Sequence, residues 1–157
     1  MEEIYNKILE NTYTFSKLKH RVSLLREYLL ARIFSNQKME LNPEENEWIE
    51  SLGEDFLQKF TKDNVYQYLD SIESTVKSQK PLVIYLTFDP GVNETAKIGQ
   101  YLRSNFTDIP IFDLKIDPEL IGGCALVSKG VYKDYSLRAQ VDNKKSELLE
   151  EFKRYVK

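Results

Sequence analysis

Apolar residues in the first half of the chain recur every three or four positions, which is the spacing of amphipathic helices. One stripe predicts a helix from Phe15 to Phe34 and consists of Phe15, Leu18, Val22, Leu25 and Leu29. The basic side chains on this segment lie mostly off the stripe, so we interpret them as a solvated face: Lys17, Lys19, His20, Arg21 and Arg26. A membrane-surface or acidic-partner role for that face is the alternative.

Two further helices are predicted before Pro81. Asn42 and Pro43 form a helix start signal, and an apolar series at steps of four, Trp48, Leu52 and Phe56, follows it. Gly53 interrupts this series and either weakens the helix or allows close packing against it. The last helix begins near Asp63 and carries Val65, Leu69, Ile72 and Val76 on one face. Because short amphipathic helices must bury their stripes against one another, residues 1–80 are predicted to form an antiparallel helical bundle.

The pattern changes to that of strands at Pro81. The run "LVIYLTF" is apolar and β-branched, which predicts a strand buried on both faces. A "DPG" turn and a helical pattern through about Phe106 follow. The run "IPIFDLKID" then alternates, with Leu114 and Ile116 against Asp113, Lys115 and Asp117. Strand, helix and strand in this order predict a parallel pair.

The segment "GGCALVSKGVYKD" predicts a hairpin that turns at Lys129-Gly130. Asp134 or Ser136 is expected to cap a closing helix. Its apolar positions are Leu137, Val141, Leu148, Phe152 and Val156, and its polar middle, "DNKKS", is expected to project from the core. The fold class is therefore predicted as α+β: a helical domain over 1–80 and a small βαββα domain with a mixed sheet over 81–157.

The composition of the chain argues against several classes of function. The net charge of −3 and a pI near 5.4 argue against a general nucleic-acid binder. The single cysteine, Cys124, excludes an intrachain disulfide, and a single histidine, His20, makes a zinc site or a Ser-His-Asp triad improbable. The longest apolar run is far shorter than the ~20 residues that cross a bilayer. The acidic N-terminus does not resemble a signal peptide, so a soluble or peripheral cytoplasmic protein is expected.

Gly122 and Gly123 resemble a phosphate loop only superficially. They lead into a strand rather than a helix N-terminus, so we interpret them as a tight turn or a close backbone approach. Asp113 and Asp117 are expected to share the polar face of one strand, and Cys124 to be a small buried residue. These residues predict no catalytic, cofactor or metal site.

The order of these motifs resembles the C-terminal domain of the delta subunit of F-type ATP synthases, called the oligomycin-sensitivity-conferring protein in mitochondria. Asp117, Pro118, Leu120, Ile121, Gly122 and Gly123 match the family's Asp-Pro-x-Ile/Leu-x-Gly-Gly type phrase. Ala125, Leu126 and Val127 with the Lys129-Gly130 turn match its middle. Asp134, Ser136 and Arg138 match its final part. The resemblance spans Leu82–Leu149, somewhat under half of the chain.

The resemblance implies a non-catalytic, hetero-oligomeric stator subunit. In that family the helical domain grips the N-termini of the alpha subunits, and the C-terminal domain meets the C-termini of the b subunits. This chain would then be peripheral on the inner face of the cell membrane, without inserting into the membrane, and would bind no nucleic acid or cofactor. Two alternatives stay open: a peripheral-stalk subunit of a V/A-type ATPase, and a small ligand-binding α/β domain.

Overall fold

The structure is a computed structural model that describes residues 2–35, 39–106 and 111–155, without the side chains of Ser146 and Leu148. It is a mixed α/β protein. The chain divides into two compact units: Met1–Gln79, here called the helical unit, and Lys80–Lys157, called the sheet unit. This division lies one residue before the predicted domain boundary.

The helical unit contains five α-helices in its described residues: α1 Glu2–Leu9, α2 Phe15–Leu30, α3 Pro43–Leu52, α4 Glu54–Leu57 and α5 Val65–Ser78. A π-helical turn, Ala31–Ser35, extends α2. The sequence pattern did not predict α1, because its eight residues hold only two buried positions, Ile4 and Ile8.

The predicted stripes build the core of the helical unit. On α2 the stripe from Leu18 to Leu29 is buried, and so are all four predicted positions on α5. The predicted start of α3 is confirmed, because the Asn42 side chain accepts a hydrogen bond from the Glu45 N–H. The Glu45 carboxylate in turn accepts one from the Asn42 N–H. The residues of these helices thus determine where α3 starts and which faces of α2 and α5 are buried.

Two expectations for the helical unit are wrong. Gly53 has a φ of +82°, ends α3 and separates it from α4, so Trp48 and Phe56 lie on different helices. Arg21 does not lie on a solvated face: it is 8% exposed and packs over the Trp48 ring. Its guanidinium donates to the carbonyls of Glu10 and Asn11 just after α1, at 3.3 and 3.1 Å.

The sheet unit contains a four-stranded sheet with strand order β2-β1-β3-β4. Its elements are β1 Leu82–Leu86, α6 Val92–Asn105, β2 Phe112–Ile116, β3 Cys124–Ser128, β4 Val131–Asp134 and α7 Leu137–Tyr155, with a 3-10 turn at Pro118–Leu120. The strands β1 and β2 are parallel, whereas β1/β3 and β3/β4 are antiparallel, as the strand-helix-strand and hairpin patterns predict.

Two expectations for the strands are corrected. Leu82 and Ile84 are buried on one face of β1, but Val83 and Tyr85 on the other face are only half-buried. Asp117 does not share a strand face with Asp113, because β2 ends at Ile116. The Asp117 N–H donates to the Leu86 carbonyl at 2.7 Å, which joins the carboxyl ends of β1 and β2.

Candidate interaction surface

The segment from Asp117 to Gly123 forms a compact turn between β2 and β3. The Asp117 side chain accepts a hydrogen bond from the Glu119 N–H at 3.1 Å, and Pro118 occupies the first position of the 3-10 turn. Three successive residues then have positive φ: Ile121 at 53°, Gly122 at 98° and Gly123 at 78°. Ile121 is a β-branched residue in the left-handed region, which is costly for it.

Glycine is required at position 123 because another segment of backbone lies close to it. A Cβ atom at this position would lie 2.5 Å from the Tyr135 carbonyl oxygen and 3.0 Å from the Ser136 Cα. The sequence predicts a turn or a close approach at the glycine pair, and the structure has both. The partner, Tyr135, was not foreseen, because it lies twelve positions further along the chain.

Backbone hydrogen bonds join this turn to the start of α7. The Tyr135 N–H donates to the Cys124 carbonyl at 2.9 Å, and the Leu137 N–H donates to the Gly122 carbonyl at 3.1 Å. The first turn of α7 is therefore fixed to the glycine pair itself.

Asp134 and Ser136 complete this junction. The Asp134 carboxylate accepts from the Ser136 N–H at 2.8 Å, and the Ser136 hydroxyl oxygen accepts from the Ala139 N–H at 3.2 Å as the helix cap. Hydrogen bonds from the Ser136 hydroxyl and N–H lower the pKa of Asp134, and the charge of Arg138 contributes to the same shift. Ser136 is buried, whereas Asp134 and Arg138 are exposed.

Seven residues of the sequence motif thus belong to one junction between the turn before β3 and the start of α7: Asp117, Pro118, Gly122, Gly123, Asp134, Ser136 and Arg138. We call it the α7 anchor. Its side chains cap the 3-10 turn and α7, and its backbone groups bond to one another. The α7 anchor therefore holds the start of α7 in place.

Beyond the α7 anchor, the described side chains of α7 are exposed, apart from the half-buried Ala139. The polar middle was expected to project from the core, and the described apolar side chains on either side of it are exposed as well: Leu137, Val141 and Phe152 are 53%, 48% and 67% exposed. Together with Tyr155 they occupy one side of the helix, because their spacings are close to multiples of 3.6 residues. We call this set the α7 stripe. The predicted Val156 and the Leu148 side chain lie outside the described residues.

Surface depressions in the described part of the helical unit include two that lie between helices. One, of about 310 Å³, lies between α2 and α3, and two pairs of side chains meet across it: Lys17 with Glu44 at 2.6 Å and His20 with Glu45 at 3.1 Å. The Lys17 ammonium, by hydrogen bond and charge, lowers the pKa of Glu44. The other, of about 530 Å³, lies between α1 and α4.

The structure also bears on the thiol, on metal binding and on membrane crossing. Cys124 is half-buried rather than buried. In the described residues, His, Cys, Asp and Glu nowhere cluster in threes that could hold a metal ion. None of the helices, as far as they are described, combines the length and apolar character that crossing a membrane requires.

Comparison with protein-family models, curated proteins and solved structures finds no match to this chain. The interpretation of the α7 anchor and the α7 stripe therefore depends on their geometry and on the resemblance of the motif.

Proposed function

We propose that this protein is a non-catalytic peripheral-stalk subunit of an F-type ATP synthase, of the delta-subunit kind. The observation that carries the proposal is that the family-like phrase from Asp117 to Arg138 forms the α7 anchor. That anchor presents a long helix whose apolar stripe is exposed. An exposed apolar helix face of this kind is suited to binding another amphipathic helix.

In this proposal the two units have separate partners. The helical unit is an antiparallel bundle that binds the N-termini of alpha subunits, and the groove between α1 and α4 is a candidate position for them. The sheet unit is a βαββα domain that binds the C-terminal helices of b subunits along the α7 stripe. The protein would thus be one part of a hetero-oligomer on the inner face of the cell membrane.

A stator must resist torque without catalysing a reaction, so its binding energy has to come from interface area. Burial of apolar surface contributes about 25 cal/mol per Å². The α7 stripe has members near both ends of a helix of 19 residues, and so offers contacts that are spread along that helix. Because the α7 anchor fixes the first turn of this helix, force applied along it would pass directly into the sheet.

The test is binding of the full chain to the soluble parts of its own organism's b and alpha subunits, measured by calorimetry. We expect both to bind, and we expect the Val141→Asp/Phe152→Asp double variant to bind b at least about tenfold more weakly while binding alpha normally. Tyr101→Asp on α6, which is equally exposed, is the matched control. Failure of both subunits to bind, or unchanged b binding by the double variant, would contradict the proposal.

A further inference from the structure

The sheet unit has a second exposed apolar surface at the carboxyl ends of β1 and β2. It consists of Phe88, Val92, Ile116 and Ile121, which are 62%, 77%, 49% and 63% exposed, and we call it the carboxyl-end patch. The strand register brings these residues to one end of the sheet, because Leu86 at the end of β1 pairs with both Ile116 and Cys124. Ile121 adjoins the first turn of α7, whereas Phe88 lies in the β1–α6 connection and Val92 is the first residue of α6.

The charged residues within the two segments that form the carboxyl-end patch have one sign. The two segments that form it, 86–94 and 116–124, contain Asp89, Glu94, Asp117 and Glu119 but no lysine or arginine. All four acidic residues are exposed or half-buried, and no lysine or arginine of the described residues forms an ion pair with them. The helix α7 differs in this respect, because it has basic and acidic side chains along its whole length.

The backbone of the carboxyl-end patch is held in place. Asp117 is bonded to the end of β1 and caps the 3-10 turn, and Ile121 is kept at positive φ between that turn and the glycine pair. A partner would therefore meet a preorganised surface, which reduces the entropy lost on binding.

We propose that the carboxyl-end patch binds a protein segment that is amphipathic and carries lysine or arginine beside its apolar side chains. Apolar contact supplies the affinity, and the four carboxylates select the sign of the partner's charge. An acidic segment or an anionic membrane surface would instead be repelled. This inference does not depend on the proposed stator function, since the carboxyl-end patch shares no residue with the α7 stripe.

The probe is a pair of synthetic amphipathic peptides with the same leucine stripe, one flanked by lysines and one by glutamates. We expect the lysine peptide to bind the full chain at low salt and to shift the backbone NMR signals of residues 86–94 and 116–124. The glutamate peptide is expected to bind at least about tenfold more weakly, and salt should weaken the lysine peptide's binding.

Variants of the full chain then identify the surface that binds the lysine peptide. Phe88→Ala/Val92→Ala should weaken binding of the lysine peptide at least about tenfold, and Asp89→Asn/Glu119→Gln should reduce its salt dependence. Tyr101→Ala, on α6 and outside both surfaces, should leave its binding unchanged. Equal binding of the two peptides, signal shifts confined to α7, or no effect of Phe88→Ala/Val92→Ala would each overturn the proposal. Because Phe88→Ala/Val92→Ala leaves the α7 stripe intact, failure here is distinguishable from failure of b binding.

Discussion

At the scale of single residues, two glycines of the sheet unit share nearly the same backbone angle but have different surroundings. Gly123 and Gly130 have φ values of 78° and 80°. A Cβ at Gly123 would meet the backbone of Tyr135 and Ser136, whereas a Cβ at Gly130 would meet nothing within 4 Å. The same substitution at Gly123 and at Gly130 therefore separates the free-energy cost of positive φ from that of a steric clash.

We predict that Gly130→Ala lowers the free energy of unfolding of the sheet unit by about 1 kcal/mol, because only left-handed strain is added. Gly123→Ala should lower it by about 3 kcal/mol, because forced displacement of neighbouring backbone adds to that strain. Urea unfolding of the full chain, followed by NMR signals of the sheet, measures both values. Equal losses at the two positions would show that the close approach at Gly123 does not matter energetically.

Arg21 is a second residue whose role is structural. Its guanidinium is the hydrogen-bond donor for two carbonyls just after α1, and burial lowers its pKa. We predict that Arg21→Met costs about 2 kcal/mol of stability, because the Glu10 and Asn11 carbonyls and the buried Thr12 hydroxyl lose this donor. Lys19→Met on the exposed side of α2 is the control and should change stability by less than about 0.5 kcal/mol. Similar effects of the two variants, measured by the fluorescence of Trp48 in urea, would exclude this capping role.

These residues show how far sequence reasoning extends at this scale. The caps at Asn42 and Ser136 could be predicted because each bonds a backbone N–H three positions further along the chain. Arg21 could not, because a buried and an exposed arginine look the same in a helical pattern. Its burial depends on Trp48, which is remote in sequence.

At the scale of elements, α7 depends on its first turn. Only Ala139 among its described side chains is partly buried, so the α7 anchor supplies nearly all of its attachment within the sheet unit. The helix and its start at Ser136 could be predicted from sequence, but the exposure of its described apolar side chains could not. Apolar positions at helical spacing indicate a face that will be buried, without saying whether by the same chain or by a partner.

The α7 anchor should weaken in acid. The hydrogen bonds from Ser136 lower the pKa of Asp134 below its usual value of 3.8, so the charged carboxylate stabilises the folded anchor. This contribution is fully present above the usual value and is lost as the pH falls through the lowered pKa. We predict that hydrogen-exchange protection of the amides at 137–140 decreases in that range.

Asp134→Asn isolates this effect, because asparagine keeps an acceptor oxygen but cannot be charged. The variant should show weaker protection at neutral pH and little further loss in acid, after correction for intrinsic exchange. An acid dependence as steep as that of the wild type would assign the titration to another group.

In the helical unit, the spacing of apolar residues does not reveal where one helix ends and the next begins. Trp48, Leu52 and Phe56 keep a regular spacing across Gly53, and all three are buried, yet they belong to two helices. A glycine with φ of +82° ends α3 without changing the register of the apolar residues. The sequence could therefore predict which residues form the core, but not where the helix breaks.

At the scale of the whole molecule, the two units differ in the size of their cores. Most buried apolar side chains of the described residues belong to the helical unit, where they come from all five helices. In the described part of the sheet unit there are seven: Leu82, Ile84, Leu102, Ile111, Phe112, Leu120 and Ala125. Because burial of apolar surface is the main favourable contribution to folding, the sheet unit should be the less stable of the two.

The chain provides a natural probe for each unit. Its single tryptophan, Trp48, is buried in the helical unit, and its single cysteine, Cys124, is half-buried in the sheet unit. We predict that in rising urea the Cys124 thiol becomes fully reactive toward a disulfide reagent at a lower concentration than that at which Trp48 fluorescence changes. Gly123→Ala should move the thiol transition to still lower urea and leave the tryptophan transition in place, whereas Arg21→Met should do the reverse. Coincident transitions that shift together in both variants would mean that the units unfold as one cooperative body, and that a partner bound to α7 also stabilises the helical unit.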